Sequence, residues 1–139
     1  MITRPSLIMA AKIKTFVVDA SFVLSSLLPD EKSPEADKLL GRYVAGEIDL
    51  VSTNVFELEV FNGLRSAILQ NRIAKRDALA IAERFLKFSI SCEGIDPYRA
   101  FLIAQKENLS VYDASYVFLA RSKNLPLLTL DRRMARLAK

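Results

Sequence analysis

The sequence predicts an α/β fold in which a central, mostly parallel sheet carries helices on its faces. Three short apolar runs have the composition of strands that are buried on both sides, and they lie at residues 15–18, 48–52 and 125–129. Between these runs, apolar side chains recur at helical spacing. Strands that alternate with helices along a chain indicate βαβ units, and therefore a parallel sheet.

The starts of the helices are predicted from capping residues. Ser33 stands directly before a proline and is a candidate N-cap for a helix that reaches about Gly46. Asn54 and Glu57 have the spacing of a capping box, which predicts a helix that reaches about Asn71. The other predicted elements are helices at residues 75–88, 97–107 and 111–122, a short strand near residues 88–91, and a basic helix from about residue 131.

The composition fits one compact domain. The chain has 139 residues, of which 51% are hydrophobic and 26% are charged, and this is enough to bury one core. We expect a single domain over residues 1–139, in which residues 1–11 form an N-terminal extension without function. The one cysteine cannot form an internal disulfide, and every long apolar stretch is broken by a charge before it could span a membrane. We therefore expect a cytoplasmic protein that does not associate with a membrane.

Histidine is absent from the sequence, and its absence excludes several classes of enzyme. There can be no histidine acid–base pair and no Ser-His-Asp triad. One cysteine without histidine also excludes the usual zinc ligand sets. Chemistry must therefore come from carboxylates, basic side chains, hydroxyl groups or a bound hard metal ion. The formal net charge of +4 suits a polyanionic partner.

Four acidic residues are distinguished by their positions. Asp19 follows a predicted strand directly and Asp131 follows another after Leu130, and open α/β sheets bind ligands at the carboxyl ends of their strands. Asp113 lies near the start of a predicted helix, and Glu59 lies among apolar residues in another. Taken singly, each aspartate is also explained as a helix cap or a first-turn acid, which needs no ligand.

Helix geometry separates Glu59 from its neighbour Glu57. Residues two apart point about 200° away from each other around a helix, so only one of the two can face the other acids. Glu57 is explained by the capping box, whereas Glu59 has no such role and shares its face with Asn62. We therefore predict that Glu59 is the functional residue.

These four acids are predicted to meet at one end of the sheet. Carboxylates that converge must share protons or bind cations, and Mg²⁺ or Mn²⁺ is the natural occupant of a site made only of oxygen atoms. Such a site activates water and stabilises the charge that develops on a phosphoryl group. A metal-dependent hydrolase of phosphodiesters is consistent with a sequence that lacks histidine.

In the order and surroundings of these acids, the chain resembles the PIN-domain family and, within it, the VapC-type toxins of toxin–antitoxin pairs. The resemblance rests on the segments VDASFV at 18–23, LPDE at 28–31, EVFNGL at 59–64, LSVYDASYVFLA at 109–120 and LPLLTLDRR at 125–133. These segments extend over nearly the whole chain. The YDASY and LLTxD patterns, in this order with the other two acids, are specific.

The resemblance implies an α/β/α sandwich and a ribonuclease that depends on Mg²⁺ or Mn²⁺. It also implies an antitoxin protein that covers the site and, as is usual in the family, a homodimer. The metal-binding and catalytic acids of the family correspond to Asp19, Glu59, Asp113 and Asp131. Its supporting polar positions near the site correspond to Ser21, Asn62 and Thr129.

Two other functions are open. A PIN-like domain without activity could serve only as a protein-binding module, although all four acids and Ser21 are present. A phosphatase built around Asp19 and dependent on Mg²⁺ is expected to carry a second aspartate two residues later, where this chain has Ser21. The basic residues near the C-terminus are individually best explained as solvated helix surface, but together they could hold RNA phosphates. They are Arg121, Lys123, Arg132, Arg133, Arg136 and Lys139.

Overall fold

The computed structural model describes residues 13–139, so the predicted N-terminal extension, residues 1–11, lies outside the described residues. Its strands are β1 (Lys14–Val18), β2 (Ile48–Thr53), β3 (Ser91–Glu93) and β4 (Leu127–Leu128). They form one sheet in the order β3-β2-β1-β4, and every neighbouring pair is parallel. The predicted parallel sheet is confirmed.

The helices within residues 13–139 alternate with these strands. They are α1 (Ala20–Leu27), α2 (Pro34–Val44), α3 (Phe56–Leu69), α4 (Lys75–Lys87), α5 (Pro97–Glu107), α6 (Val111–Lys123) and α7 (Arg132–Leu137). None of them is long and apolar enough to cross a membrane.

The helices cover the sheet and bury its centre. Val17 and Val18, at the end of β1, are completely buried. On the sheet, α6 packs against β1 and β2, and it also contacts α5 and α7. The other helices form a second set, in which α1 packs against α2 and α3, and α3 packs against α4. The fold is therefore the α/β/α sandwich that the family resemblance implies.

The direction in which the chain adds strands to the sheet reverses at β1. From β1 the chain moves to β2 and β3 on one side, and it returns as β4 on the other side of β1. Val17 pairs with Val51 in β2 and with Leu127 in β4. Ligand sites in open α/β sheets lie at the carboxyl ends of the strands, at such a reversal. Asp19 and Asp131 follow the two strands that flank this point.

The predicted capping box at the start of α3 is wrong. Asn54 lies in a turn, and Val55 is the N-cap residue, without a hydrogen bond from its side chain. The backbone N–H of Val55 instead donates to Thr53 Oγ1 at 3.4 Å, because β2 extends to Thr53 and its last residue closes the turn. Glu57 therefore has no capping role, and that role cannot be used to separate it from Glu59.

Two predicted strands are displaced or shortened. The strand expected near residues 88–91 begins only at Ser91, because Phe88 is the C-cap of α4 and Ser89 has a φ of 50°. The run at residues 125–129 contributes only Leu127–Leu128. Before it, Asn124 ends α6 in the left-handed conformation, and the N–H of Leu125 is still bonded to a carbonyl of that helix.

Candidate active site

A cleft of about 260 Å³ opens at the carboxyl end of β1. Three of the four predicted acids line it, and they are Asp19, Glu59 and Asp113. Ser21, Asn62 and Tyr116 lie between them on its wall. The acids come from three different elements, namely the β1–α1 junction, α3 and α6.

Asp19 is held at the junction of β1 and α1. Its backbone N–H donates to Leu128 O at 3.1 Å, which continues the β1–β4 pairing. Its side chain is the N-cap of α1, where Oδ1 accepts from the backbone N–H of Phe22 at 3.0 Å. The residue is only 5% exposed. Asp19 therefore caps α1 and also lines the cleft. A capping role by itself does not require the side chain to be buried next to other acidic residues.

The environment of Asp19 opposes its ionisation. Burial raises the pKa of its carboxyl above the ordinary value, and the nearby charge of Asp113 acts in the same direction. Hydrogen bonds from Thr129, Ser21 and the backbone of Phe22 lower the pKa, but they do not offset the burial. A cation in the cleft would relieve this cost.

Ser21 and Thr129 connect Asp19 to the loop after β4. The Ser21 hydroxyl donates to Asp19 Oδ1 at 2.8 Å and accepts the backbone N–H of Leu130 at 3.3 Å. The Thr129 side chain lowers the pKa of the Asp19 carboxyl, and its Oγ1 accepts the backbone N–H of Asp131 at 3.1 Å. The Ser21 hydroxyl thus ties Asp19 to the loop after β4, and the Thr129 hydroxyl holds Asp131 within that loop.

Glu59 faces the cleft from α3, and its carboxylate is bound by a buried tyrosine. The Tyr116 hydroxyl donates to Glu59 Oε1 at 2.5 Å. Burial raises the pKa of the Glu59 carboxyl, and the charges of Asp113 and Asp19 add to this, whereas the bond from Tyr116 lowers it. The pKa of the Tyr116 phenol is itself raised by burial and by Glu59, so the phenol keeps its proton and acts as a donor.

Glu57 stands outside this cleft. Its side chain is exposed, and its charge acts on Cys92 in β3, where it adds to the burial that raises the pKa of the thiol. The two glutamates of α3 therefore point to different surroundings, as the helix geometry predicts.

Asp113 and Asp131 both lie at helix starts, but only Asp113 lines the cleft. Ser110 caps α6 by accepting the backbone N–H of Asp113 at 3.0 Å. Burial raises the pKa of the Asp113 carboxyl, and the charge of Asp131 adds to it. Asp131 is exposed and caps α7, where Oδ1 accepts from Arg133 N at 2.9 Å and Met134 N at 3.1 Å. Asp131 is not among the residues that line the cleft, but its charge is close enough to raise the pKa of Asp113.

The donor chemistry of the cleft fits a hard divalent cation. The side chains that line it offer carboxylate, hydroxyl and amide oxygens, which Mg²⁺ and Mn²⁺ prefer. Within residues 13–139, no three histidine, cysteine, aspartate or glutamate side chains are close enough to form a ready-made metal site. The acids that share the cleft nevertheless add, through their mutual repulsion, to the effect of burial that raises their pKa values. A bound cation would reduce this repulsion.

Tyr116 and Gly63 are site residues that the sequence reasoning missed. Tyr116 is only 1% exposed, and a buried tyrosine hydroxyl usually requires a polar partner, which was the available signal. Gly63 lines the cleft, and a Cβ added there would overlap Leu24 Cδ1 in α1. Gly63 thus allows α3 to approach α1 closely at the wall of the cleft, and the sequence contains no sign of this approach.

Relatives of this chain were found by sequence. The family model for the PIN domain matches residues 16–139. Ribonuclease VapC3 of Pyrobaculum aerophilum is 30% identical over 121 residues, which cover 86% of this chain and 91% of that protein. Ribonuclease VapC1 of Mycobacterium tuberculosis is 31% identical over 123 residues, which cover 86% of this chain and 87% of that protein.

Solved structures agree in fold. The Pyrobaculum aerophilum protein PAE2754 superposes with a TM-score of 0.70 at 23% identity, over 94% of this chain and 82% of that one. VapC20 of Mycobacterium tuberculosis, described as a sarcin–ricin loop cleaving toxin, has a TM-score of 0.62 at 17% identity, over 87% of this chain and 93% of that one. At these identities the likeness concerns the fold alone. The family model and the sequence relatives both extend over most of the chain, which therefore belongs to the PIN-domain family, among its VapC ribonucleases.

Proposed function

We propose that this chain is a metal-dependent endoribonuclease and the toxin of a toxin–antitoxin pair. The observation that carries the proposal is the cleft at the end of β1, which Asp19, Glu59 and Asp113 line together. Burial raises the pKa of all three carboxyls, and the charge of Asp113 adds to this at Asp19 and Glu59. Acids held together in this way, in a chain without histidine, suit hydrolysis assisted by a cation. The names of the sequence relatives support RNA as the substrate.

Mg²⁺ or Mn²⁺ is the proposed cofactor, and four acids are the residues that would hold it, namely Asp19, Glu59, Asp113 and Asp131. When bound, the cation would activate water and stabilise the charge on the scissile phosphate. Ser21 would keep Asp19 in place through its hydrogen bond, and Thr129 would hold the backbone of Asp131. Asn62, which is exposed on the wall of the cleft, offers an amide to the substrate or to the water.

Basic residues of α7 are proposed to contact RNA phosphates. Arg121, Lys123 and Arg133 lie within ion-pair distance of glutamates, which favours a structural role for these three. Arg132 and Arg136 are exposed and form no ion pair with another residue in the range 13–139. Arg132 directly follows Asp131 in sequence, at the start of α7. Unpaired basic side chains next to the acids would balance the charge of the substrate backbone.

An antitoxin protein and a second copy of the chain are the proposed partners, and the cytoplasm is the proposed location. Membership of the VapC group supports these proposals. Exposed apolar side chains also stand next to the acids in sequence. Leu58, Tyr112 and Leu130 are 73%, 60% and 51% exposed, and they directly precede Glu59, Asp113 and Asp131. Exposed apolar side chains of this size suit contact with a partner protein.

The decisive experiment is an RNA cleavage assay on the purified chain, with single-stranded RNA as substrate. We expect cleavage that EDTA abolishes and excess Mn²⁺ restores. The matched control is Asp96→Asn, which changes an exposed helix cap outside the cleft and should cleave like the wild type. Undiminished cleavage in EDTA would contradict the mechanism. Absence of cleavage at every Mn²⁺ concentration would favour the alternative of an inactive protein-binding module.

A further inference from the structure

Tyr116 joins two elements of the active site through one hydroxyl group. The residue belongs to α6 and is 1% exposed. Its hydroxyl donates to Glu59 Oε1 in α3 at 2.5 Å, across 57 positions of sequence. Both side chains line the cleft together with Asp19. The phenol therefore ties the Glu59 carboxylate to α6 at the wall of the cleft.

The Glu59 side chain needs such a restraint. A glutamate has several rotatable bonds, and fixing them costs conformational entropy each time the carboxylate binds a ligand. Here the phenol removes part of that freedom in advance, because its own ring is packed in the core. The hydrogen bond uses Oε1, and among residues 13–139 no other side chain or backbone group donates to Oε2, so this oxygen remains free to bind a ligand.

We propose that Tyr116 is a positioning residue, which holds Glu59 so that one carboxylate oxygen is presented to the divalent cation while the other stays on the phenol. This inference rests on the proposed function, because it assigns a cation to the cleft. Outer groups that orient a metal ligand typically change metal affinity by about 10- to 100-fold when they are removed. Tyr116 does not itself contact the substrate in this scheme.

The test is a titration of the full chain with Mn²⁺, in which electron paramagnetic resonance measures the concentration of the free ion. We expect Tyr116→Phe to bind Mn²⁺ about tenfold more weakly than the wild type, with its fold retained because the ring remains. The matched control is Tyr43→Phe, which removes a comparable hydroxyl, bonded to Phe88 O at 2.7 Å, from outside the cleft. It should bind like the wild type.

Two further variants separate this inference from the proposed function. Glu59→Gln should lose Mn²⁺ affinity, and adding Tyr116→Phe to it should cause no further loss, because the phenol acts only through Glu59. If Glu59→Gln binds Mn²⁺ like the wild type, the metal site itself is wrong. If Glu59→Gln loses affinity but Tyr116→Phe keeps it or binds more tightly, only the role of Tyr116 is refuted.

A measurement on the wild type decides the question without any variant of Tyr116. In protein labelled with [¹³Cζ]tyrosine, the hydroxyl proton of Tyr116 should give a protected, downfield NMR resonance because of its short hydrogen bond. We expect this resonance to persist when Mg²⁺ saturates the site. Its disappearance would mean that the phenol and the cation compete for Glu59, which would overturn the inference.

Discussion

Replacing Asp19 with asparagine tests whether the acids of the cleft repel one another. The substitution removes a charge that is 5% exposed and that lies near Asp113. Both hydrogen bonds to Oδ1, from Ser21 and Phe22, can be kept by the amide oxygen. Asparagine is also as good an N-cap as aspartate. The cost is confined to the Thr129 side chain, which lowers the pKa of the carboxyl and must adjust to the amide.

The expected sign is a gain in stability. Removing the buried charge relieves both its repulsion by Asp113 and the cost of its burial, which adds about 1 kcal/mol to the free energy of unfolding. The altered contact with Thr129 subtracts about 0.5 kcal/mol. The net gain of about 0.5 kcal/mol corresponds to a rise in Tm of roughly 2 °C. Activity should be lost, because Asp19 is one of the residues proposed to hold the cation.

The pH dependence of this gain follows from the direction of the pKa shift. The Asp19 carboxyl has a folded-state pKa above its ordinary value of 3.8, so the folded chain binds the proton more tightly than the unfolded chain. The wild type therefore loses stability as pH rises from about 3.8 through the folded-state pKa. The asparagine variant has no such loss, so its advantage should be full at neutral pH and should vanish below that window.

Thermal unfolding followed by circular dichroism at several pH values measures the effect. The matched control is Asp96→Asn at the cap of α5, where the side chain is exposed and accepts from Tyr98 N and Arg99 N. This cap should change the free energy of unfolding by less than about 0.5 kcal/mol at every pH. A large loss of stability in Asp19→Asn at neutral pH would show that the carboxylate is needed structurally, and the argument from repulsion would be refuted.

The remaining predictions concern α3, with one variant of α2 as a reference. Glu59→Gln should lose nearly all metal-dependent RNA cleavage, whereas Glu57→Gln should keep most of it because Glu57 lies outside the cleft. The reverse result, under identical Mn²⁺ conditions, would show that the active site is assigned to the wrong face of the helix. Gly41→Ala, in an open position of α2, should raise the free energy of unfolding by about 1 kcal/mol through helix propensity. Gly63→Ala should raise the free energy of unfolding by less than Gly41→Ala does, or should lower it, because the added Cβ displaces Leu24. If calorimetry shows equal gains for the two variants, the close contact of α1 and α3 is contradicted.

Much of the fold could be predicted because strands and helices leave local patterns in the sequence. The apolar runs that precede Asp19 and Asp131 predicted the existence and direction of two parallel strands, although the second is only Leu127–Leu128, since a strand buried on both faces has no polar alternation. The start of α3 was predicted wrongly because the pair Asn54 and Glu57 has the spacing of a capping box whether or not the helix begins there. The length of β2 decided the question, and strand length depends on pairing with β1 and β3.

The sequence by itself determined the chemical class of the site, because a chain without histidine and with acids after buried strands has few options other than carboxylates and a hard cation. Only the tertiary structure decided which acids share the cleft. The order of the strands sets β4 beside β1, so that the Asp131 segment reaches Asp19. The packing of α6 on the sheet brings the phenol of Tyr116 to Glu59, 57 positions away. Such contacts depend on how whole elements pack, and no local pattern in the sequence records them.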